Sequence, residues 1–125
     1  MSEKFKIYSE FVKDLSSETK DLETYLYVKE YLKNYNLNIE ISSKPLKNRF
    51  VEVNTKLTYL DNTQTNKKSF FEVIYATIIQ IDEKIKERKE IEKIVLCDVQ
   101  NKIYNNLEKV FINLLKDSGY PGVKI

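Results

Sequence analysis

Two stretches of this chain alternate in hydropathy too regularly and for too long to be helices: RFVEVNTKLTYL at 49–60 and FFEVIYATIIQI at 70–81. A side-chain period of two belongs to a β-strand. In the first run Val51, Val53, Thr55, Leu57 and Tyr59 fall on one face. In the second, Phe71, Val73, Tyr75, Thr77, Ile79 and Ile81 share one face, while Phe70, Glu72, Ile74, Ala76 and Ile78 share the other. The polar stretch DNTQTNKKS at 61–69 joins them and reads as a hairpin loop. Because the second run is apolar on both faces, it predicts a central strand covered on both sides.

Other elements assemble around this hairpin. FKIYSEFVKDL at 5–15 alternates, with Phe5, Ile7, Phe11 and Leu15 on one face, as in a half-buried strand. LNIEIS at 37–42 places Leu37, Ile39 and Ile41 together, and Pro45 marks the end of that strand because it donates nothing to a ladder. Residues 21–34 read as a helix capped by Asp21, although their many tyrosines also suit a strand. From about residue 87 the period becomes helical. Ile91, Ile94 and Val95 form a short stripe, and after Asp98 a longer one runs through Ile103, Leu107, Val110, Phe111, Leu114 and Leu115. Gly119 is the expected helix stop and Pro121 prevents continuation. The order predicts one α+β domain over 1–125: a four-stranded, mainly antiparallel sheet with one long helix and one or two short ones. So few helices leave apolar surface uncovered, which predicts association or a binding role.

Composition removes most chemistry. The chain has no His and no Trp, so common general bases and most zinc sites are excluded. Its two glycines are Gly119 and Gly122, too late for a phosphate-binding loop. Cys97 is alone, in the apolar run IVLCDV, and reads as a structural residue of a chain kept in the reducing cytosol. The start MSEKFKIYSE carries no secretory signal, and no apolar run is long enough to enter a membrane. A net charge of +2 is too mild for nucleic acid, leaving NKK at 66–68 as a weak candidate. The charge-dense 82–93 reads as a solvated face with i,i+4 ion pairs. No cofactor, metal or enzymatic activity is expected.

Several stretches, in order, resemble the protein-export chaperone SecB family. FVKDLSSET at 11–19 is similar to the family's opening strand and its exit, and LNIEIS at 37–42 to its second strand. VEVNTKLTYL, a polar loop and FFEVIYATI resemble the long third and fourth strands. IYNNLEKVFINLLKDSGYP at 103–121 resembles the closing helix and its Gly-aromatic-Pro turn. Departures exist. Thr77 stands where the family commonly has Gly, and the helix start at Ile103–Glu108 lacks the usual Pro and Arg. The chain is slightly basic where relatives are acidic, and it ends soon after a turn that usually leads to a further helix and tail.

The resemblance implies an ATP-independent holding chaperone, a homotetramer built as a dimer of dimers. Such proteins bind unfolded precursor polypeptides in apolar grooves and deliver them to the SecA motor. It implies groove positions at Ile39 and Ile41, at Phe71, Val73 and Tyr75, and at Leu107, Phe111 and Leu114, each at least as good a candidate for core or subunit interface. It implies a motor contact at Asp14, Glu18, Phe70 and Glu72 on an outer sheet face. Two alternatives stay open: a chaperone of the same fold dedicated to the antitoxin of a toxin–antitoxin module, and a small α+β ligand-binding domain or enzyme with an apolar pocket.

Overall fold

The computed structural model describes residues 3–61 and 70–121. Four strands, β1 (Phe5–Ser17), β2 (Asn36–Pro45), β3 (Phe50–Leu60) and β4 (Phe70–Ile81), form one antiparallel sheet in the order β1-β4-β3-β2. Most of the expected 61–69 loop, NKK included, and residues 122–125 lie outside the described residues. The two strands with the strongest alternation are the central pair, in continuous register from Phe50 opposite Gln80 to Leu60 opposite Phe70. The inner face they share carries Val51, Val53, Leu57, Tyr59, Phe71, Val73, Ile79 and Ile81, all buried.

Strand β1 departs from the expected alternation. Its register against β4 shifts between Ile7 and Ser9 and again between Val12 and Asp14. Each shift inserts one residue and exchanges the faces of the residues beyond it. Ile7 lies opposite inward-facing Ile79, but Phe11 lies opposite Ala76 on the outer face; Val12 and Leu15 return to the inner side opposite Tyr75 and Val73. Phe5, Ile7, Phe11 and Leu15 therefore do not form one face, and Phe11 and Leu15 are about half exposed, at 45% and 50%.

Because β1 and β2 occupy opposite edges, the chain must cross the end of the sheet between them. Helix α1 (Leu22–Tyr31), continued by a 3-10 turn over Leu32–Asn34, makes that crossing. Asp21 caps it by accepting from Thr24 N at 2.8 Å. The tyrosines that blur its sequence signal are anchors. Tyr25 donates to Gly119 O at 3.0 Å and Tyr27 to Asp61 Oδ2 at 2.9 Å, while Tyr59 reaches up from β3 to Leu32 O at 2.8 Å. A helix held by hydroxyl contacts at its ends needs no clean apolar stripe.

The expected short and long helices are one continuous helix. Helix α2 (Arg88–Lys93) passes through a π turn at Ile94–Asp98 into α3 (Val99–Asp117), with Ile94 and Val99 both in right-handed helical conformation. The π turn admits one extra residue without ending the helix. Val95, Val99, Ile103, Leu107 and Phe111 then step by four along the buried face. Burying each is worth roughly 1.5–3 kcal/mol, which docks α3 on the inner face of the sheet. The helix ends in a Schellman turn: Tyr120 N bonds Leu115 O at 2.9 Å and Gly119 N bonds Lys116 O at 3.0 Å, with Gly119 at φ +100°. Tyr120 is thereby turned inward, stacked on Tyr25 and edge-on to Phe71.

Candidate functional site: an apolar groove beside an edge strand

Helix α3 lies over the centre of the sheet, so the inward side chains of edge strand β2 are left beside it rather than beneath it. The result is a groove of about 220 Å³. Leu37, Ile39 and Ile41 of β2 form one wall, Leu96, Tyr104 and Glu108 the other, and Leu57, Leu107 and Phe111 the floor. Ile39, Leu96 and Tyr104 are 55%, 50% and 51% exposed, so the walls present apolar surface to solvent. The polar groups inside are paired with each other. Gln100 Nε2 donates to Thr55 Oγ1 at 3.0 Å, and Tyr104 is hydrogen-bonded to the Glu108 carboxylate, which raises its hydroxyl pKa. What remains for a ligand is apolar contact, plus the backbone edge of β2, which among the described residues pairs with β3 alone.

Of the residues expected in a groove, Ile39, Ile41, Leu107 and Phe111 are brought together here. Phe71, Val73, Tyr75 and Leu114 are placed elsewhere. Phe71 and Val73 have no exposed surface, and Tyr75 and Leu114 are buried under or within the α3 contact. The reason is the strand order: β4 is central, so its inner face is core. Tyr75 hydrogen-bonds Glu10 Oε1 at 2.8 Å, and burial followed by this bond pushes its hydroxyl pKa up to about 12. Leu37, Leu57, Leu96 and Tyr104 were missed. Residues 96, 100, 104 and 108 step by four beside the buried stripe, a signal hidden by treating Asp98 as a break.

The four outer-face positions, Asp14, Glu18, Phe70 and Glu72, gather at one end of the sheet. Asp14 lies opposite Ile74, Ser16 opposite Glu72, and Phe70 opposite Leu60, on the face turned away from α3; Glu18 comes directly after the last β1 residue. Contrary to the expectation that β4 is covered on both sides, its second face carries no layer among the described residues. Ile74 and Ile78 are half-buried by strand neighbours alone. Glu72 is ion-paired with Lys56 at 3.4 Å. Cys97, expected in an apolar setting, is exposed on the π turn, because the run IVLCDV buries Ile94 and Val95 and turns Leu96 and Cys97 outward.

The family described as preprotein translocase subunit SecB matches this chain across residues 1–125. The chain belongs to the SecB family. A protein of Pelagibacter ubique (strain HTCC1062), named as a candidate protein-export protein SecB, is 52% identical over 124 residues, covering 99% of this chain and 89% of its own length. Among solved structures, a Mycobacterium tuberculosis SecB-like chaperone in complex with an antitoxin peptide superposes with a TM-score of 0.70 at 9% identity, over 98% of this chain and 89% of that one. A Streptococcus agalactiae protein of unknown function gives 0.52 at 12% identity, over 97% and 95%. The family and the relative support a protein-export chaperone, and the superposition places the antiparallel sheet and its helices in the SecB-like fold. No described helix is long and apolar enough to cross a membrane.

Proposed function

We propose that this SecB-family chain is an ATP-independent holding chaperone that captures unfolded precursors in the β2–α3 groove and passes them to the SecA motor in the cytosol. The observation that carries this reading is an apolar groove whose polar groups are already paired and which lies along a free strand edge. An unfolded chain offers apolar side chains and unpaired backbone, and this site can take both without catalysis. The motor contact is assigned to the outer face at Asp14, Glu18, Phe70 and Glu72.

The reading includes a dimer of dimers. Strand β1, 13 residues long, has no strand on its outer side among the described residues, and Phe11, Val12 and Leu15 are 45%, 40% and 50% exposed. A long apolar edge of this kind invites strand pairing, and a second β1 is a matching partner. Light scattering with and without an unfolded client tests both parts. The expected result is a mass near four times 14.9 kDa that captures the client; a monomer that captures nothing would overturn the proposal. Ile41→Asp should weaken suppression of client aggregation while the assembly persists.

A second reading, a dedicated antitoxin chaperone, is favoured by the complex in which the M. tuberculosis structure was solved. The 52% identity with a protein named for export favours the first. An antitoxin co-purifying in stoichiometric amount would reverse that order.

A further inference from the structure

We infer that the end of the sheet formed by the β2–β3 turn and the loop after β4 is a docking surface for a membrane of anionic lipid, touched from one side and not crossed. This end shares no residue with the groove and lies at the far end of the sheet from Phe70 and Glu72. The inference therefore stands apart from client capture and from the motor contact.

The first observation is where positive charge collects. The β2–β3 turn stands beside the last residues of β4, since Pro45 lies opposite Val51 and Phe50 opposite Gln80. Between Glu40 and Glu52 the sequence has no carboxylate, and the stretch carries Lys44, Lys47 and Arg49, all exposed. Lys84 and Lys86 share a shallow depression of about 660 Å³ with Arg49 and Glu83. Residues 3–6, 43–50 and 82–93 together hold ten Lys and Arg against six Asp and Glu, a net +4, while the whole chain is +2. Of the six, Glu90 and Glu92 are paired with Lys4 at 3.6 Å and Arg88 at 3.3 Å, and Asp82 accepts from Lys84 N at 2.9 Å. Glu3, Glu83 and Glu87 are exposed counter-charges within the basic field.

The second observation is strain. Asn48 and Arg49 have φ of 61° and 69°. Arginine seldom adopts this conformation, and two such residues in succession persist only where their surroundings fix them. Here Arg49 Nη2 donates to Asp82 O at 2.8 Å and to Ile85 O, Gln80 Nε2 to Asn48 O at 3.1 Å, and Leu46 N to Phe50 O at 2.8 Å. These bonds tie the turn to the β4 loop and, being to carbonyls, leave the Arg49 charge unneutralised. The turn holds Leu46 40% exposed, after Pro45 and between Lys44 and Lys47. An apolar residue held out among cations suits a lipid headgroup layer: the cations lie against phosphates and the apolar tip enters the interface.

A nucleic acid is the rival polyanion. It is recognised through open aromatic faces or a stronger basic field. The rings nearest this turn, Tyr8 and Phe50, are instead edge-on to each other at 5.0 Å, and Leu46 offers a sugar–phosphate chain little.

Flotation of the full chain with vesicles of phosphatidylcholine, alone or with about 30% phosphatidylglycerol, at about 50 and about 500 mM salt tests this. The chain should bind the anionic vesicles at low salt, and at least about tenfold more weakly at high salt or on neutral vesicles. Lys44→Gln/Lys47→Gln should weaken binding by about tenfold or more and Leu46→Ser by about threefold. Lys20→Gln/Lys33→Gln, which removes equal charge from exposed sites flanking α1, should change it by less than about twofold. Solution mass and thermal unfolding check each variant, and Lys84→Gln/Lys86→Gln repeats the test from the β4 loop. No binding to anionic vesicles, equal binding to neutral ones, an equal loss in the α1 pair, or unchanged binding in Lys44→Gln/Lys47→Gln overturns the inference. A single-stranded RNA that strips the chain from the vesicles at low salt, and whose binding falls in the same variants, assigns the surface to nucleic acid and overturns it as well.

Discussion

Replacing Ile39 by Ser removes an apolar wall of the groove at small cost to the fold. The side chain is 55% exposed, so about half of its surface is still available to a ligand. Fully burying an Ile side chain is worth about 1.5–3 kcal/mol, and roughly half of that, about 0.8–1.7 kcal/mol, can be recovered when a client covers it. The predicted effect is a rise in client dissociation constant of about 4- to 17-fold. Leu22 is the control. It is more exposed, at 70%, but stands on α1 away from the groove. Titrating a fluorescently labelled unfolded polypeptide against the wild type, Ile39→Ser and Leu22→Ser gives the comparison directly, with solution mass checked for each. If Leu22→Ser weakens binding as much as Ile39→Ser, general stickiness and not the groove holds the client. If Ile39→Ser stays within about twofold of wild type, the groove reasoning is refuted.

Other expectations concern stability. At Gly119, φ is +100° and an added Cβ would lie 2.8 Å from Tyr25 Cε1, so Gly119→Ala should cost about 2–4 kcal/mol in urea unfolding; about half of that should vanish in a Tyr25→Ala background, and an unchanged penalty there would deny the clash. Thr77 is fully buried and its hydroxyl has no hydrogen-bond partner among the described residues, so Thr77→Val should stabilise by about 1 kcal/mol, and a loss would mean the hydroxyl is satisfied in solution. The Tyr75 hydroxyl is raised to about 12 in the fold, above its unfolded value near 10. The folded state therefore holds this proton more tightly; the contribution is complete below about pH 10 and is lost as pH rises towards about 12. Tyr75→Phe should flatten alkaline unfolding over that window, and an unaltered profile would mean that Tyr75 does not govern it.

How far the sequence reaches is best judged on particular elements. The alternation of 49–60 and 70–81 identifies β3 and β4, because a continuous ladder with one buried face keeps its period. Asp21 and Gly119 mark helix ends correctly, because caps are local chemistry. Strand β1 is legible but its faces are not. Two bulges reverse the alternation after Ile7 and after Val12, and a bulge is fixed by pairing with β4 rather than by β1 itself. The π turn at Ile94–Asp98 reads as a break in the sequence for a similar reason: it is held by packing on the sheet and leaves no distinctive local pattern.

The candidate site divides along the same line. The sequence by itself determined that Ile39, Ile41, Leu107 and Phe111 are apolar and on one face of their elements, since periodicity fixes a residue's face within a strand or helix that carries no bulge. It could not decide which inner faces would be covered. That depends on the strand order β1-β4-β3-β2, which puts β4 under α3 and leaves β2 at an edge. Phe71 and Val73 thereby became core, while Ile39 and Ile41, no more apolar, became the wall of a groove. The charge on the outer face divides in the same way. The carboxylates of Asp14, Glu40, Glu52 and Glu72 are plain in the sequence, but only register across the strands sets lysines beside Glu40, Glu52 and Glu72. Composition is additive along a chain; coverage and charge pairing depend on which strands become neighbours, and tertiary structure decides that.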